Sequence, residues 1–387
     1  MTQAIHAILA ASAVAGAAAI LAVLVNLARI PRLSREGRRA GAYPRVSVLV
    51  PARNEERGLE AGVGSLVALE YPDFEVIVVD DGSTDRTGEI LAALARQSPR
   101  LRVIAGSDPP RGWLGKPHAL SLASRAASGE LLLFVDADVR YDPRALSEAV
   151  DLMEAENADL LALLPRIEAR GFWENVLMPY LAVSLFFGPA FLANRDRPRW
   201  FAIGGGTGNL IRRRAYDAVG GHDALRHSVV DDIHLAQEVK RAGFRARIAL
   251  ANDRVAVRMY HGFGEIWRGF SKNVAYAFSG WFGALFLLLT LGSILFAIAP
   301  AAVLVAALVG APVAGRDFLL AAAGFGASLA ARALLAMALG EAAWPSLTHP
   351  LMAVVWTGLA SRSLFDRFVR RRLSWRGRDF DARDAGF

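Results

Sequence analysis

The chain of 387 residues contains no cysteine, which excludes disulfides and thiolate metal sites and leaves the redox compartment open. Charge is missing from residues 4–28, where no Asp, Glu, Lys or Arg occurs, and no Lys or Arg precedes that segment. About 25 residues at ~1.5 Å rise suffice to cross a hydrocarbon layer of ~30 Å. A secretory signal is the competing reading, with Ala17-Ala18-Ala19 as small residues suited to cleavage, but the length and the missing basic start argue against it. There is no internal repeat and no low-complexity tract beyond alanine-rich helices.

Positive charge follows the apolar segment instead, at Arg29, Arg32, Arg35, Arg38 and Arg39. By the positive-inside rule the amino terminus faces out and the following domain is cytosolic. The net charge of +7 concentrates there and around Arg370-Arg371-Arg372, which suits anionic lipid headgroups rather than nucleic acid. A second apolar territory, from Trp281 to about Leu364, predicts about three segments near 282–304, 318–340 and 346–364. Three crossings would put the tail outside, yet eight Arg against four Asp from Ser361 onward ask for the inside, so the topology stays open. Trp344, Pro345 and Pro350 make the last segment the suspect.

Between these regions, short apolar runs alternate with helical stretches, the pattern of a mostly parallel α/β domain. Strands are predicted at Val46–Val50, Glu75–Val79, Leu101–Ile104, Leu131–Val135 and Leu160–Leu164, and helices at Gly58–Leu69, Arg86–Gln97, Pro117–Ala127 and Pro143–Glu156. Asp142-Pro143 reads as a helix start with an Asp cap. The stretch Phe172–Ala193 is apolar enough to lie against a bilayer. A buried core helix is the alternative, because Pro179 and Pro189 break its periodicity.

Chemistry-bearing residues gather where strands end, which is where open α/β sheets bind ligands. Asp136 and Asp138 close the apolar run Leu131–Val135, and two acids there suit a hard metal on a diphosphate; helix capping plus solvation is the plain alternative. Pro51, Asn54 and Glu55 follow the first strand. Asp80 and Asp81 follow the second, where acids can accept hydrogen bonds from a base or ribose. Lys116 opens a helix behind Gly112 and Gly115, a setting that suits a phosphate, although the P-loop spacing is missing. Val230-Asp231-Asp232 starts another helix. Asp231 could be its cap, and His234 reads as a surface or packing residue.

Taken in order from about Arg45 to Asn273, these motifs resemble the GT-A nucleotide-sugar domain of glycosyltransferase family 2. The resemblance implies that Asp81, supported by Glu55 and Asp80, holds base and ribose. It implies that Asp138 binds the diphosphate through Mg²⁺ or Mn²⁺, with Asp136 on the ribose or sugar or as a second ligand. It makes Asp232 the general base of an Asp231–Asp232 pair and puts Gly205, Gly206 and Asn209 on the acceptor side. Trp267 and Arg268 would close over the diphosphate. The family's processive members carry Gln-x-x-Arg-Trp at that place, and its absence here favours adding a single sugar.

The layout is similar to carotenoid- and hopanoid-associated enzymes and to ceramide glucosyltransferases. The expected organisation is an anchor at 1–30, a basic linker at 31–44, a GT-A domain at 45–273, a membrane region at 274–365 and a basic tail at 366–387. The expected protein is a multi-pass enzyme of the cell membrane with a cytosolic catalytic domain. It would move one sugar from a nucleotide-diphosphate sugar, a UDP-sugar favoured, to a lipid hydroxyl, with inversion. A polyprenyl-phosphate glycosyltransferase and a non-catalytic nucleotide-binding scaffold are the alternatives.

Overall fold

The computed structural model describes residues 2–33, 43–277, 292, 297–366, 372–375 and 378–381. Most of the expected basic linker, most of the segment at 282–304 and most of the basic tail lie outside the described residues. The chain divides into two compact units that interleave along the sequence: 30–168, 192–259 and 372–387 form an α/β unit, and 1–29, 169–191 and 260–371 a helical one.

The α/β unit is built on a seven-stranded sheet in the order β3-β2-β1-β4-β8-β6-β9. Its strands are β1 (Val46–Ala52), β2 (Phe74–Asp80), β3 (Leu101–Ala105), β4 (Leu131–Phe134), β6 (Leu160–Leu164), β8 (Asn209–Arg212) and β9 (Ala246–Leu250). Every pairing is parallel except those of β8, which runs antiparallel to both β4 and β6. All four residues of β4 are buried, as a strand covered on both faces requires, whereas β3 at the edge exposes three of its five. Three short strands, β5 (Val139–Tyr141), β7 (Arg166–Ile167) and β10 (Val255–Val257), form a second sheet. The core runs from Val46, Val48 and Val50 through Leu59, Val63 and Leu66 to Leu133, Leu146 and Met153.

The helices that follow β1, β2, β3 and β5 are α2 (Leu59–Val67), α3 (Thr87–Gln97), α4 (Gly115–Ala126) and α5 (Ala145–Ala155). α5 corrects the expected start at Pro143. Arg144 takes the N-cap position, and the Asp142 carboxylate accepts the Arg144 backbone N–H at 3.1 Å while the Pro143 carbonyl accepts from Glu70. The chain runs β1-β2-β3 to one side and then places β4 on the other side of β1. That order reversal opens a crevice at the carboxyl ends of β1 and β4.

In the helical unit, α1 (Thr2–Arg29) packs on a helix at Gly315–Ala338 through small residues. A Cβ at Gly16 would overlap Ala327, and one at Gly324 would overlap Ser12. Among the described residues only Gln3–Arg29 and Gly315–Ala338 are long and apolar enough to cross a membrane. Of the segments expected beyond Trp281, the one near 318–340 falls on Gly315–Ala338, and the one near 282–304 lies mostly outside the described residues. The region 346–364 begins as a 3₁₀ turn at Trp344–Thr348 and continues as a helix of 17 residues at His349–Phe365.

The stretch Phe172–Ala193 is not one interfacial helix. It breaks at Pro179 into α6 (Phe172–Leu177) and α7 (Tyr180–Phe186) and packs within the helical unit. Trp356 stacks on Tyr180 at 4.3 Å and donates its indole N–H to the Leu177 carbonyl at 2.9 Å. Asn26 donates to the carbonyls of Phe186 and Gly188 and accepts from the Phe191 N–H, meeting backbone groups that the broken helix leaves unpaired.

Candidate active site

Two neighbouring groups of residues meet at the carboxyl end of the sheet. The first joins the turns after β1 and β2. Asn54, held at φ 52°, accepts the Thr84 N–H at 2.8 Å and gives its own N–H to Ser83 Oγ at 3.0 Å. Asp80 accepts the Ser83 N–H at 3.0 Å, and the Glu55 N–H reaches Thr87 Oγ1 at 2.8 Å. Asp81 is buried, and its carboxylate lies 3.7 Å from the Arg53 guanidinium. Parallel pairing of Pro51 with Val79 and of Ala52 with Asp80 sets the two turns side by side.

The second group lines a cleft between the ends of β1 and β4: Pro51, Lys116, Asp136, Gly206, Asp231 and Asp232. Gly205 and Asn209 also border it. Asp136 is fixed by its backbone, whose N–H donates to the Gly206 carbonyl at 2.7 Å. A Cβ on Gly206 would overlap the Asp136 carboxylate, so only glycine permits that approach. Asn209, at the start of β8, donates to the Asp232 carbonyl at 3.0 Å and accepts from Gly205 at 3.3 Å, tying the glycine turn to α10 (Asp231–Arg241). Val230 is the N-cap of α10, so Asp231 is not the cap: it sits in the first turn with its carboxylate in the cleft wall.

Lys116 provides the cation of the cleft. Its Nζ is 2.7 Å from Asp136 and 3.8 Å from Asp231. Burial alone would ease its proton off, but the three aspartates outweigh burial and hold it charged above the ordinary lysine range. The adjacent acids separate. Burial opposes ionisation of Asp231, yet Lys116 and His222 overcome it and keep that carboxyl below the usual range. Asp232 is pushed up to about 6 by burial, reinforced by the charges of Asp231 and Asp136 and opposed by Lys116. Two neighbouring carboxyls pushed in opposite directions divide naturally into a fixed anion and a base.

Asp138 sits on the same loop as Asp136 but does not line the cleft; its Cβ faces Gly58 before α2. Among the described residues no group of three or more carboxylates and histidines forms a metal site. The donor chemistry nevertheless fits a hard cation, since Mg²⁺ and Mn²⁺ take one or two carboxylates and complete their shells with phosphate oxygens and water. Asn54, Glu55, Asp80 and Asp81 belong to the adjoining turns. Trp267 and Arg268 lie on α11 (Phe263–Ala277) of the helical unit, where the Trp267 ring packs against Phe263 at 5.7 Å.

His234 is half-buried and bonds to Ser228 Oγ at 2.6 Å, a packing role. His222 carried no sequence signal. It lies on the far side of Asp231, 3.4 Å away, reached through a Gly220-Gly221 turn that no periodicity reveals.

Comparison with known proteins bears on this arrangement. The profile of the family described as Glycosyl transferase family 2 matches residues 47–220. The beta-monoglucosyldiacylglycerol synthase of Nostoc sp. is 32% identical over 201 residues, covering 50% of this chain and 41% of that protein. The 4,4'-diaponeurosporenoate glycosyltransferase of Staphylococcus aureus is 27% identical over 242 residues, 60% of this chain and 61% of that one. The chain thus spans about two-fifths to three-fifths of the length of these relatives. A solved mannosyltransferase from Pyrobaculum calidifontis, in complex with GDP-Man and Mn²⁺, aligns with a TM-score of 0.58 at 23% identity, over 93% of this chain and 99% of that one. That likeness shows a shared fold of the GT-A type.

Proposed function

We propose, from the premise that residues 47–220 are a glycosyltransferase family 2 domain, that the protein is an inverting, metal-dependent transferase. It moves a single sugar from a nucleotide-diphosphate sugar, a UDP-sugar favoured, to the hydroxyl of a membrane lipid. The observation that carries this reading is the meeting of Lys116, Asp136, Asp231 and Asp232 in one cleft, where the two acids of the pair are pushed in opposite directions. Asp232, with its carboxyl near 6, is ionised at neutral pH and still basic enough to take a hydroxyl proton. A phosphate acceptor is already anionic and needs no such base, so this split favours the hydroxyl over polyprenyl phosphate. A scaffold that only bound nucleotide would have no use for it either.

In this account Asn54, Glu55, Asp80 and Asp81 present the nucleoside side of the pocket. Lys116 offers a fixed positive charge to the departing diphosphate. Asp136 and Asp138 would hold Mg²⁺ or Mn²⁺, which as a Lewis acid neutralises the diphosphate charge. Gly205, Gly206 and Asn209 form the acceptor side. Displacement from the face opposite the diphosphate accounts for inversion. The lipid acceptor accords with what the two relatives are named for, and the apolar helices Gln3–Arg29 and Gly315–Ala338 suit a cell-membrane setting with the α/β unit cytosolic.

The test is to incubate full-length protein with Mn²⁺, a panel of radiolabelled nucleotide sugars and total bacterial lipid extract, and to follow label into the organic phase. Label in one discrete lipid that disappears in Asp138→Ala supports the reading. Metal-dependent nucleotide binding without any transfer would favour the scaffold.

A further inference from the structure

Behind the carboxylate pair lies a buried polar group that the proposed reaction does not use. His222 belongs to the short helix α9 (Gly221–Ala224) and is 1% exposed. Its Nε2 faces Asp231 Oδ2 at 3.4 Å, and its Nδ1 lies 2.9 Å from the Tyr216 hydroxyl. That hydroxyl also accepts the His222 backbone N–H at 3.0 Å and donates to Ser124 Oγ at 3.1 Å, whose own proton goes to the Ser121 carbonyl. Phe134, the last residue of β4, packs on both rings, with centroids 5.1 Å from Tyr216 and 4.7 Å from His222. The turn is shaped to this arrangement: Gly221 has φ 54°, and a Cβ there would overlap the Tyr216 ring.

We propose that His222, oriented by Tyr216, is the positioning residue of the acidic pair. It donates its Nε2 proton to Asp231 and so keeps that carboxylate ionised and aimed at Lys116, leaving Asp232 to act as base. The assignment rests on the family 2 transferase reading for its kinetic consequences but not for its geometry. An ionised Asp231 can only accept, so the Nε2 that faces it must carry a proton, while the Tyr216 hydroxyl holds the ring from its Nδ1 side. The titratable and charged groups around the Asp231–Asp232 pair are Lys116 from α4, Asp136 from the loop after β4, His234 from the same helix, and His222 itself. Asp223 is the further acid beside His222, and it is engaged by Ser121 and Arg125.

Two variants of the full-length protein separate positioning from packing. His222→Met fills the space without a donor, while His222→Gln places an N–H where Nε2 was. The expected result for His222→Met is a kcat loss of about 10- to 100-fold, a range typical of partners that orient a reacting group. The acidic limb of its pH profile should move up by roughly half a unit to one unit, because Asp231 then competes for the proton the pair shares. His222→Gln should restore the limb and return kcat to within about threefold of wild type. A wild-type limb and kcat in His222→Met, or equal losses in both variants with an unmoved limb, would overturn the proposal. A separate readout does not need turnover: in ¹⁵N-histidine-labelled protein, the ring signal lost in His222→Gln should report a protonated Nε2 at neutral pH, and a bare Nε2 would overturn it. If wild-type protein transfers no sugar, the transferase reading fails and the ring signal still decides the positioning claim.

Discussion

The two polar regions at the sheet end are solved in opposite ways. In the turns after β1 and β2, side chains and backbone satisfy one another: Asn54 with Ser83 and Thr84, Asp80 with Ser83, Glu55 with Thr87. In the cleft, one ammonium stands among three carboxylates, and two of those carboxyls are pushed in opposite directions from the ordinary range. The first region is a rigid, largely neutralised cradle. The second stores unbalanced charge, which is what a site needs if charge is to move during reaction. A cradle of hydrogen bonds sets affinity, and a loaded cleft sets rate.

Substitutions in the cleft should therefore act on kcat and those in the turns on KM. The largest effect is expected from Asp232→Asn, with kcat reduced about 10²- to 10⁴-fold, the usual worth of a positioned base. The same substitution should stabilise the protein. With the folded-state carboxyl at about 6 and the ordinary value at 3.8, the native state binds more protons than the unfolded chain between those values, so wild-type stability falls as pH rises across that window. Asn carries no such penalty. Its unfolding free energy should exceed that of wild type above pH 6 by an amount on the order of 1 kcal/mol, and the advantage should vanish near pH 4.

Next comes Lys116→Met, which removes the cation meant for the diphosphate. A kcat loss of roughly 10- to 100-fold is expected, and because Lys116 lowers the Asp232 carboxyl, the acidic limb should move above 6. The smallest effect belongs to the turns. Ser83→Ala removes the acceptor of the Asn54 N–H and should raise the donor KM by about fivefold, the worth of roughly one hydrogen bond, with kcat unchanged. A kcat effect from Ser83→Ala, or a pure KM effect from Lys116→Met, would break the comparison.

The sequence revealed what local chemistry announces. The strands β1, β2, β4 and β6 are largely apolar runs, as parallel strands covered on both faces require, and they lie where those runs predict. Strands β8 and β9 escaped notice. β8 is four residues long and ends in Arg212, and neither strand alternates in a way that separates it from a loop. Lys116, Asp136, Asp231 and Asp232 were legible one motif at a time. Their convergence on a single cleft depends on the sheet order and could not be read from spacing.

Other features were illegible for a related reason. His222 needed a positive-φ turn and a tyrosine six residues before it to reach Asp231. The helix expected at Pro143 failed because the Pro143 carbonyl was already committed to Glu70, a contact between segments far apart in sequence. For Phe172–Ala193, apolar composition leaves open a lipid-facing surface and a packed one; the contacts with Trp356 and Asn26 depend on residues far away in sequence.

The most direct test of the central claim is the pH dependence of sugar transfer to lipid by wild-type protein and Asp232→Asn, measured from pH 5 to 8 with the labelled donor and lipid extract. The account predicts that wild-type kcat/KM rises with pH through about 6 as Asp232 loses its proton and then levels off, while the residual rate of Asp232→Asn shows no limb there. A limb near 6 that persists in Asp232→Asn, or wild-type turnover by that variant, would contradict it.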